Sequence, residues 1–178
     1  VEELYKAVGI ASACGCVYSF RHRDRENILK GESMRRFVEK QPEAPMYPQH
    51  SVSERMQMAF TSLYRESLYT FLQRFVYRGQ MTFFGSITHP VGCAVAYRRK
   101  YIENMFNTYE PILGDDLTNS EDIFIGFALI HQGYRNIQLE DVSCRSQEPA
   151  LKKLPHQFYM WSSSFLQSCY YFNGVTTS

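Results

Sequence analysis

The chain has 178 residues, a length that fits one domain with a substantial core. Hydrophobic residues make up 44% and charged residues 21%, as in ordinary globular proteins, and the net charge of +1 argues against a nucleic-acid partner. Five cysteines form no CxxC pair and five histidines show no ligand spacing, so no disulfide framework or metal site is predicted here. The aromatic share of 15% indicates an aromatic core or a surface that stacks on rings.

The first part of the chain contains a helix end, a strand and a polar stretch. Residues 1–8 have the pattern of a helix interior without an initiator Met, so the sequence is expected to be a fragment. No signal peptide and no apolar run of about 20 residues is present. The segment from Val8 to Tyr18 is small and apolar, which predicts a buried strand with glycine where backbones pack closely. Residues 21–50 are charged and carry three prolines, which predicts a polar, partly irregular excursion.

A long helix is predicted from Ser51 to Gly79. Ser51 is a good N-cap, and Glu54 three residues later completes the pattern of a capping box. Apolar residues then recur at roughly helical spacing and are predicted to face the core. These residues are Met58, Leu63, Leu68, Phe71, Leu72 and Phe75. A loop is predicted at 82–90.

Strand and helix patterns alternate in the second half, which predicts an α/β fold rather than an all-helical one. Gly133 stands where a helix-ending glycine belongs, and Pro155 introduces the last helix. The predicted elements, in order, are a strand at Gly92–Tyr97, a helix opening at Arg98, a helix at Ile123–Gln132, a strand at Tyr134–Val142 and an aromatic helix at His156–Phe172.

Acidic residues cluster just before the helix at Ile123. Thr118 and Glu121 fit a capping box, and carboxylates at Glu121 and Asp122 suit the positive end of a helix dipole. Asp115 and Asp116 lie a few residues upstream. Clustered carboxylates at an element boundary also suit acid–base chemistry. Both interpretations stay open on these residues alone.

Further motifs at fixed distances from Asp122 favour acid–base chemistry over a role limited to the start of the helix. Gly133-Tyr134 begins 11 residues after Asp122, and Gln157-Phe158-Tyr159-Met160-Trp161 begins 35 residues after it. Upstream, small residues from Gly92 run into Arg98-Arg99. In this order the chain resembles the family 2 glycosyltransferases, such as cellulose, chitin and hyaluronan synthases. Their catalytic domain carries a Thr-Glu-Asp-type motif at a helix start, a Gly-Tyr or Gly-Trp helix end and a later Gln-x-x-Arg-Trp motif. The resemblance covers about residues 80–172.

The resemblance implies that residues 1–178 are the acceptor-side part of a GT-A domain, a Rossmann-like fold with a mixed sheet flanked by helices. The implied activity is that of an inverting hexosyltransferase of polysaccharide biosynthesis, which transfers a sugar from a nucleotide-diphospho-sugar to a carbohydrate or lipid hydroxyl. The implied general base is Asp122, with Glu121 shaping its environment. The implied acceptor-binding residues are Gly92, Cys93, Gln157 and Trp161.

Two departures from the family pattern matter. Met160 stands where the family has an arginine that would clamp the donor diphosphate. Lys152, Lys153 or His156 could supply that charge, the diphosphate could be held differently, or catalysis could be degraded. The family's Asp-x-Asp, which holds a divalent metal (Mg or Mn) and the donor, is expected upstream of this chain. Asp24 is no substitute because it lies in a charged run, so the isolated fragment is expected to be inactive.

Membrane association with a cytoplasmic catalytic domain is implied by the resemblance. The aromatic helix at 156–172 fits either a membrane interface or a surface covered by the rest of the domain. The main alternative function is a non-catalytic carbohydrate- or protein-binding module derived from such an enzyme. A second alternative is a metal-dependent hydrolase or nuclease that uses Asp115, Asp116 and Asp122.

Overall fold

The computed structural model describes residues 9–20, 24, 27–28, 30–41, 51–113, 120–146 and 150–174, with the backbone alone at 110–113. The described residues form a three-stranded mixed sheet in the order β2-β1-β3, packed against helices. Strand β1 (Ile10–Ser19) is central, antiparallel to β2 (Val95–Tyr97) and parallel to β3 (Arg135–Ser146). This arrangement confirms the predicted mixed α/β class.

The central strand has the small, buried residues that the sequence predicts. Nearly all of β1 is buried, as expected for a strand covered on both faces. A Cβ on Gly15 would lie 2.8 Å from the carbonyl oxygen of Val142, so only glycine lets β3 approach this closely. The register with β3 shifts directly after Gly15, which marks a bulge in the longer strand.

The polar stretch predicted at 21–50 contains a helix in its described part. Helix α1 (Glu32–Lys40) has no buried residue, in keeping with its charged sequence. The helix end predicted at 1–8, like residues 42–50, lies outside the described residues.

The long central helix begins at the predicted cap. The Ser51 hydroxyl accepts the Glu54 N–H at 3.2 Å, and the Glu54 carboxylate accepts the Ser51 N–H at 2.8 Å. This capping box opens α2 (Val52–Phe71), as predicted. A wider π turn at Leu72–Tyr77 then leads without interruption into the next helix, α3 (Arg78–Phe84).

The predicted end of this helix at Gly79 is wrong. Gly79 has an ordinary negative φ and stays inside α3, whereas Gly85 takes the left-handed conformation with φ 65° and ends the helix. The predicted loop at 82–90 therefore begins at Gly85 rather than at Thr82.

The face of α2 that packs inward is also different from the predicted one. Leu63, Phe71 and Phe75 are 68%, 56% and 68% exposed, so the predicted apolar stripe does not face the core at these positions. The buried residues recur four apart on another face and are polar or aromatic: Thr61, Arg65, Tyr69, Gln73 and Tyr77. Polar groups are needed on that face because the Gln73 amide donates to and accepts from the backbone of Val17, completing the hydrogen bonding of β1.

The predicted strand at Gly92–Tyr97 is shorter than expected. Gly92–Ala94 forms a 3₁₀ turn, and only Val95–Tyr97 pairs with β1. Two helices follow, α4 (Arg99–Ile102), at the predicted basic run, and α5 (Met105–Leu113).

The remaining elements agree with the sequence pattern. Helix α6 (Glu121–His131) ends at Gly133, whose φ is 83°. The N–H groups of Gly133 and Tyr134 bond to the carbonyls of Ile130 and Leu129, which is a Schellman motif. Strand β3 then enters the sheet, and α7 (Leu154–Tyr171) begins with Pro155 in its first turn. Aromatic residues of α6, α7 and its C-cap form the main core, including Phe124, Phe127 and Phe172.

Candidate active site

A cavity of about 720 Å³ lies between α2, the turn before β2, the start of α6 and the face of α7 that meets α2. Its walls are mainly apolar, and a small number of polar side chains reach into it. The apolar residues include Leu68, Leu72, Val76, Phe158, Phe165 and Leu166, and the polar ones include Arg65, His89, Asp122 and Gln157. A mostly apolar pocket with a few fixed polar groups is typical of a small-molecule site.

Asp122 is held in the first turn of α6 by three hydrogen bonds. Its Oδ1 accepts the Ser120 hydroxyl at 2.6 Å and the Ile123 N–H at 2.9 Å. Its Oδ2 accepts the Gly92 N–H at 2.9 Å, across 30 residues of sequence. Asp122 thus lies in the first turn of a helix, as predicted. The same hydrogen bonds fix its carboxylate in the wall of the cavity.

Gly92 is needed for the approach to Asp122. A Cβ at position 92 would lie 2.8 Å from Asp122 Oδ2 and 3.2 Å from its Cβ and Cγ. These distances are below ordinary van der Waals contact, so a larger residue would displace the carboxylate. The backbone of Gly92 therefore approaches Asp122 closely, whereas the implied role of Gly92 in acceptor binding stays a prediction.

The structure brings most of the predicted site residues into this one cavity. Asp122, Gly92, Cys93, Gln157 and Trp161 all line it. The remaining predicted residue, Glu121, is exposed and is not among the lining residues. The predicted capping box of Thr118 and Glu121 is wrong, because the N-cap of α6 is Ser120 and Glu121 is its first residue. Asp115, Asp116 and Thr118 lie outside the described residues.

An arginine lines the cavity, but it does not come from position 160. Met160 does not line the cavity, and Lys152, Lys153 and His156 are exposed residues that do not line it either. Arg65 does line it, although no motif in the sequence marked this residue. The sequence around Arg65, with Glu66 and Ser67 directly after it, gave no signal that this arginine lines a cavity.

Arg65 joins Gln157 to Trp161. Its Nη1 donates to Gln157 Oε1 at 2.7 Å, and its guanidinium carbon lies 4.6 Å from the centre of the Trp161 ring. Its Nη2 donates to the Tyr69 hydroxyl, one helical turn further along α2. Phe158 meets the edge of Trp161 with ring centres 6.3 Å apart.

A histidine that no sequence motif marked stands beside Asp122. The His89 Nε2 lies 3.0 Å from the Tyr77 hydroxyl, and its Nδ1 lies 3.2 Å from the Thr88 hydroxyl. Removal from water lowers the pKa of His89, against the opposing effect of the Asp122 charge. The same loss of water raises the pKa of Tyr77. This end of the cavity thus holds a neutral hydrogen-bonded pair next to one carboxylate.

Two thiols meet at the rim of the cavity. The sulfurs of Cys93 and Cys144 are 3.9 Å apart, which brings the turn before β2 against β3. Partial removal of the Cys93 sulfur from water, together with the neighbouring Cys144 thiol, raises the pKa of Cys93 to about 12. The raised pKa keeps the Cys93 thiol protonated, and therefore a weak nucleophile, at neutral pH.

The described residues do not fit a metal site. Within the described ranges, no three His, Cys, Asp or Glu side chains are grouped to hold an ion. Asp24 forms an ion pair with Arg145 at 3.2 Å, and its side chain is only 21% exposed. No helix in the described part of the chain is long and apolar enough to span a membrane.

No family model, characterised protein or solved structure matches the chain.

Proposed function

We propose that the chain is the acceptor-side part of an inverting glycosyltransferase with a GT-A fold. The observation that carries the proposal is the cavity shared by Asp122, Gly92, Gln157 and Trp161. These residues are separated by up to 69 positions in the sequence and are the ones that the family resemblance implies for the site. A nucleotide-diphospho-sugar is the donor, and a hydroxyl of a carbohydrate or lipid is the acceptor.

Asp122 is the general base of this reaction. Its carboxylate takes the proton of the acceptor hydroxyl while the hydroxyl oxygen forms a bond to the anomeric carbon. The bond from that carbon to the diphosphate breaks on the opposite face, and the diphosphate leaves with the electron pair. Attack and departure on opposite faces invert the anomeric centre. The bonds from Gly92 and Ser120 fix the carboxylate, which favours one direction of proton transfer.

The acceptor occupies the aromatic side of the cavity. Trp161 and Phe158 offer ring surface on which a sugar can stack, and Gln157 offers amide groups for its hydroxyls. Donor and metal are bound by residues upstream of this chain, so the residues of this chain act on the acceptor alone.

Membrane association is part of the proposal. On α7, Tyr159 and Tyr170 are 70% and 78% exposed and do not line the cavity. Exposed aromatic side chains of this kind fit the interface of a membrane, with the catalytic domain on the cytoplasmic side.

Replacement of Asp122 by Asn tests the proposal. The protein that carries this chain is incubated in native membranes with radiolabelled nucleotide sugars, and transfer to acceptor is measured. Asp122→Asn keeps the size of the side chain but removes the base, and it should lower the transfer rate by about 10²- to 10⁴-fold. Binding of the nucleotide sugar should change little. Glu103→Gln, the same change at an exposed carboxylate that does not line the cavity, should retain the wild-type activity. Full transfer by Asp122→Asn would refute the role of the base.

A non-catalytic carbohydrate-binding module is the second candidate. The observation that favours it is the aromatic wall of Phe158 and Trp161, which can bind a sugar ring without any chemistry. The absence of an arginine at position 160 also favours it. Sugar binding that quenches Trp161 fluorescence, without transfer from any nucleotide sugar by the wild-type protein, would support this candidate instead.

A further inference from the structure

Arg65 is a charged residue that the fold buries in the cavity wall. It is 3% exposed although it lies in the middle of α2, a helix whose neighbouring Leu63 is 68% exposed. Burial of a guanidinium is costly unless hydrogen bonds and favourable electrostatics offset it. Such a residue is retained where it holds other groups in place, so its contacts indicate what it does.

The contacts of Arg65 converge on the predicted acceptor residues. Gln157 receives a hydrogen bond at 2.7 Å, and the Trp161 ring lies 4.6 Å from the guanidinium carbon. The Tyr69 ring, one turn further along α2, lies 4.8 Å away, and its hydroxyl accepts a bond from Nη2. One rigid, planar group thus connects α2 to the two motif residues of α7 that are 92 and 96 positions away in sequence.

We propose that Arg65 is a positioning residue of the acceptor subsite. The inference rests on the proposed function for the identity of the ligand, a sugar ring. Arg65 fixes the Trp161 indole and the Gln157 amide in the orientation that receives the sugar. Because the guanidinium covers one face of the indole, the sugar stacks on the opposite face.

The geometry requires arginine rather than any cation. A lysine could place its charge over the indole, but it has no planar fork to reach Gln157 and Tyr69 at the same time. Loss of the side chain would leave the indole free to rotate and the Gln157 oxygen without this donor. The sugar would then bind more weakly, whereas the transfer step at Asp122 would proceed once it was bound.

The first measurement is kinetic and uses a double-mutant cycle. The variants are Arg65→Met, Trp161→Phe and the combination, with Arg55→Met as the matched control on an exposed position of the same helix. Arg65→Met should raise the acceptor KM about tenfold or more with little change in kcat. In the Trp161→Phe background, Arg65→Met should raise the acceptor KM less than about threefold, because the indole that Arg65 positions is absent. Arg65→Lys should recover part of the loss.

The second measurement is spectroscopic and needs no ligand. Trp161 is the single tryptophan of residues 1–178, so in a protein made of these residues alone the fluorescence anisotropy reports the motion of this indole. Arg65→Met should lower the anisotropy, Arg65→Lys should lower it less, and Arg55→Met should leave it unchanged. Circular dichroism and Tm identify any variant that fails to fold. If Arg65→Met fails to fold, the anisotropy and acceptor KM of Arg65→Lys are compared with those of the wild type instead.

The outcomes separate this inference from the proposed function. Unchanged anisotropy in folded Arg65→Met, or kinetic effects of Arg65→Met and Trp161→Phe that simply multiply, would overturn the positioning role. Retained transfer by Asp122→Asn would overturn the catalytic proposal but leave the anisotropy result standing. Lower anisotropy together with a coupled KM effect supports Arg65 as the positioning residue.

Discussion

Gly92→Ala is the perturbation that the geometry defines most sharply. The added methyl would lie 2.8 Å from Asp122 Oδ2, whereas an ordinary contact distance is about 3.4 Å or more. Either the Asp122 carboxylate or the turn that contains Gly92 must therefore move by roughly half an ångström. Gly92 has a negative φ, so alanine itself is not strained there. The expected loss is therefore the hydrogen bond to Asp122 rather than the fold.

The size of the effect follows from that bond. A hydrogen bond to a charged group contributes about 1.5–3 kcal/mol. If the loss falls on the transition state, kcat decreases by roughly 10- to 100-fold, since about 1.4 kcal/mol corresponds to a factor of ten. Because this bond also belongs to the folded state, the free energy of unfolding should fall by no more than about the same 1.5–3 kcal/mol.

The assay compares sugar transfer and urea unfolding of Gly92→Ala with those of Gly79→Ala. A methyl added at Gly79 would have no atom within 4 Å, and Gly79 lies inside α3, so alanine there should stabilise the helix by about 0.5–1 kcal/mol and leave transfer unchanged. A folded Gly92→Ala protein with wild-type kcat would refute the reasoning that the Gly92 N–H positions the base.

Three further predictions concern stability and reactivity. In the unfolded chain His89 takes up a proton near its ordinary pKa of about 6.5, whereas burial lowers this pKa in the folded protein. The free energy of unfolding should therefore fall as the pH drops below about 6.5. His89→Gln should reduce this fall in urea titrations at pH 5.5 and 7.5, and identical curves would contradict it. Cys144→Ser should speed alkylation of Cys93 by iodoacetamide at pH 8, measured by mass spectrometry, because a neighbour that raises the pKa is gone; an unchanged rate would contradict this. Gly126→Ala should destabilise the fold by about 1–3 kcal/mol, since its methyl would lie 2.6 Å from the backbone of His89, and an unchanged Tm would disprove this packing.

Local signals in the sequence predicted the elements well. The capping box at Ser51, the helix end at Gly133 and the helix start at Pro155 depend on residues within one turn, and all three are present in the structure. The coarse α/β class follows from the order of these elements.

The features that depend on tertiary packing were not predictable in the same way. Gly79 is compatible with both a helix interior and a helix end, and the π turn before it gave no sequence signal. The inward face of α2 and the π turn carries polar groups because Gln73 bonds to the backbone of β1 and Arg65 faces the cavity. Hydrophobic spacing therefore placed Leu63, Phe71 and Phe75 inward, although these residues are exposed. The motifs indicated Asp122, Gly92, Gln157 and Trp161. Arg65 of α2, which contacts Gln157 and Trp161, could be identified only from the folded structure.

The role of Asp122 as the base is tested most directly by transfer to azide. Azide attacks the anomeric carbon without losing a proton, so it needs no base, whereas a hydroxyl does. In the protein that carries this chain, Asp122→Ala should lose transfer to the hydroxyl acceptor and should still form the glycosyl azide, with inversion, at a rate similar to that of the wild type. A variant that binds the nucleotide sugar but fails equally with azide, or one that still transfers to the hydroxyl, would contradict the assignment.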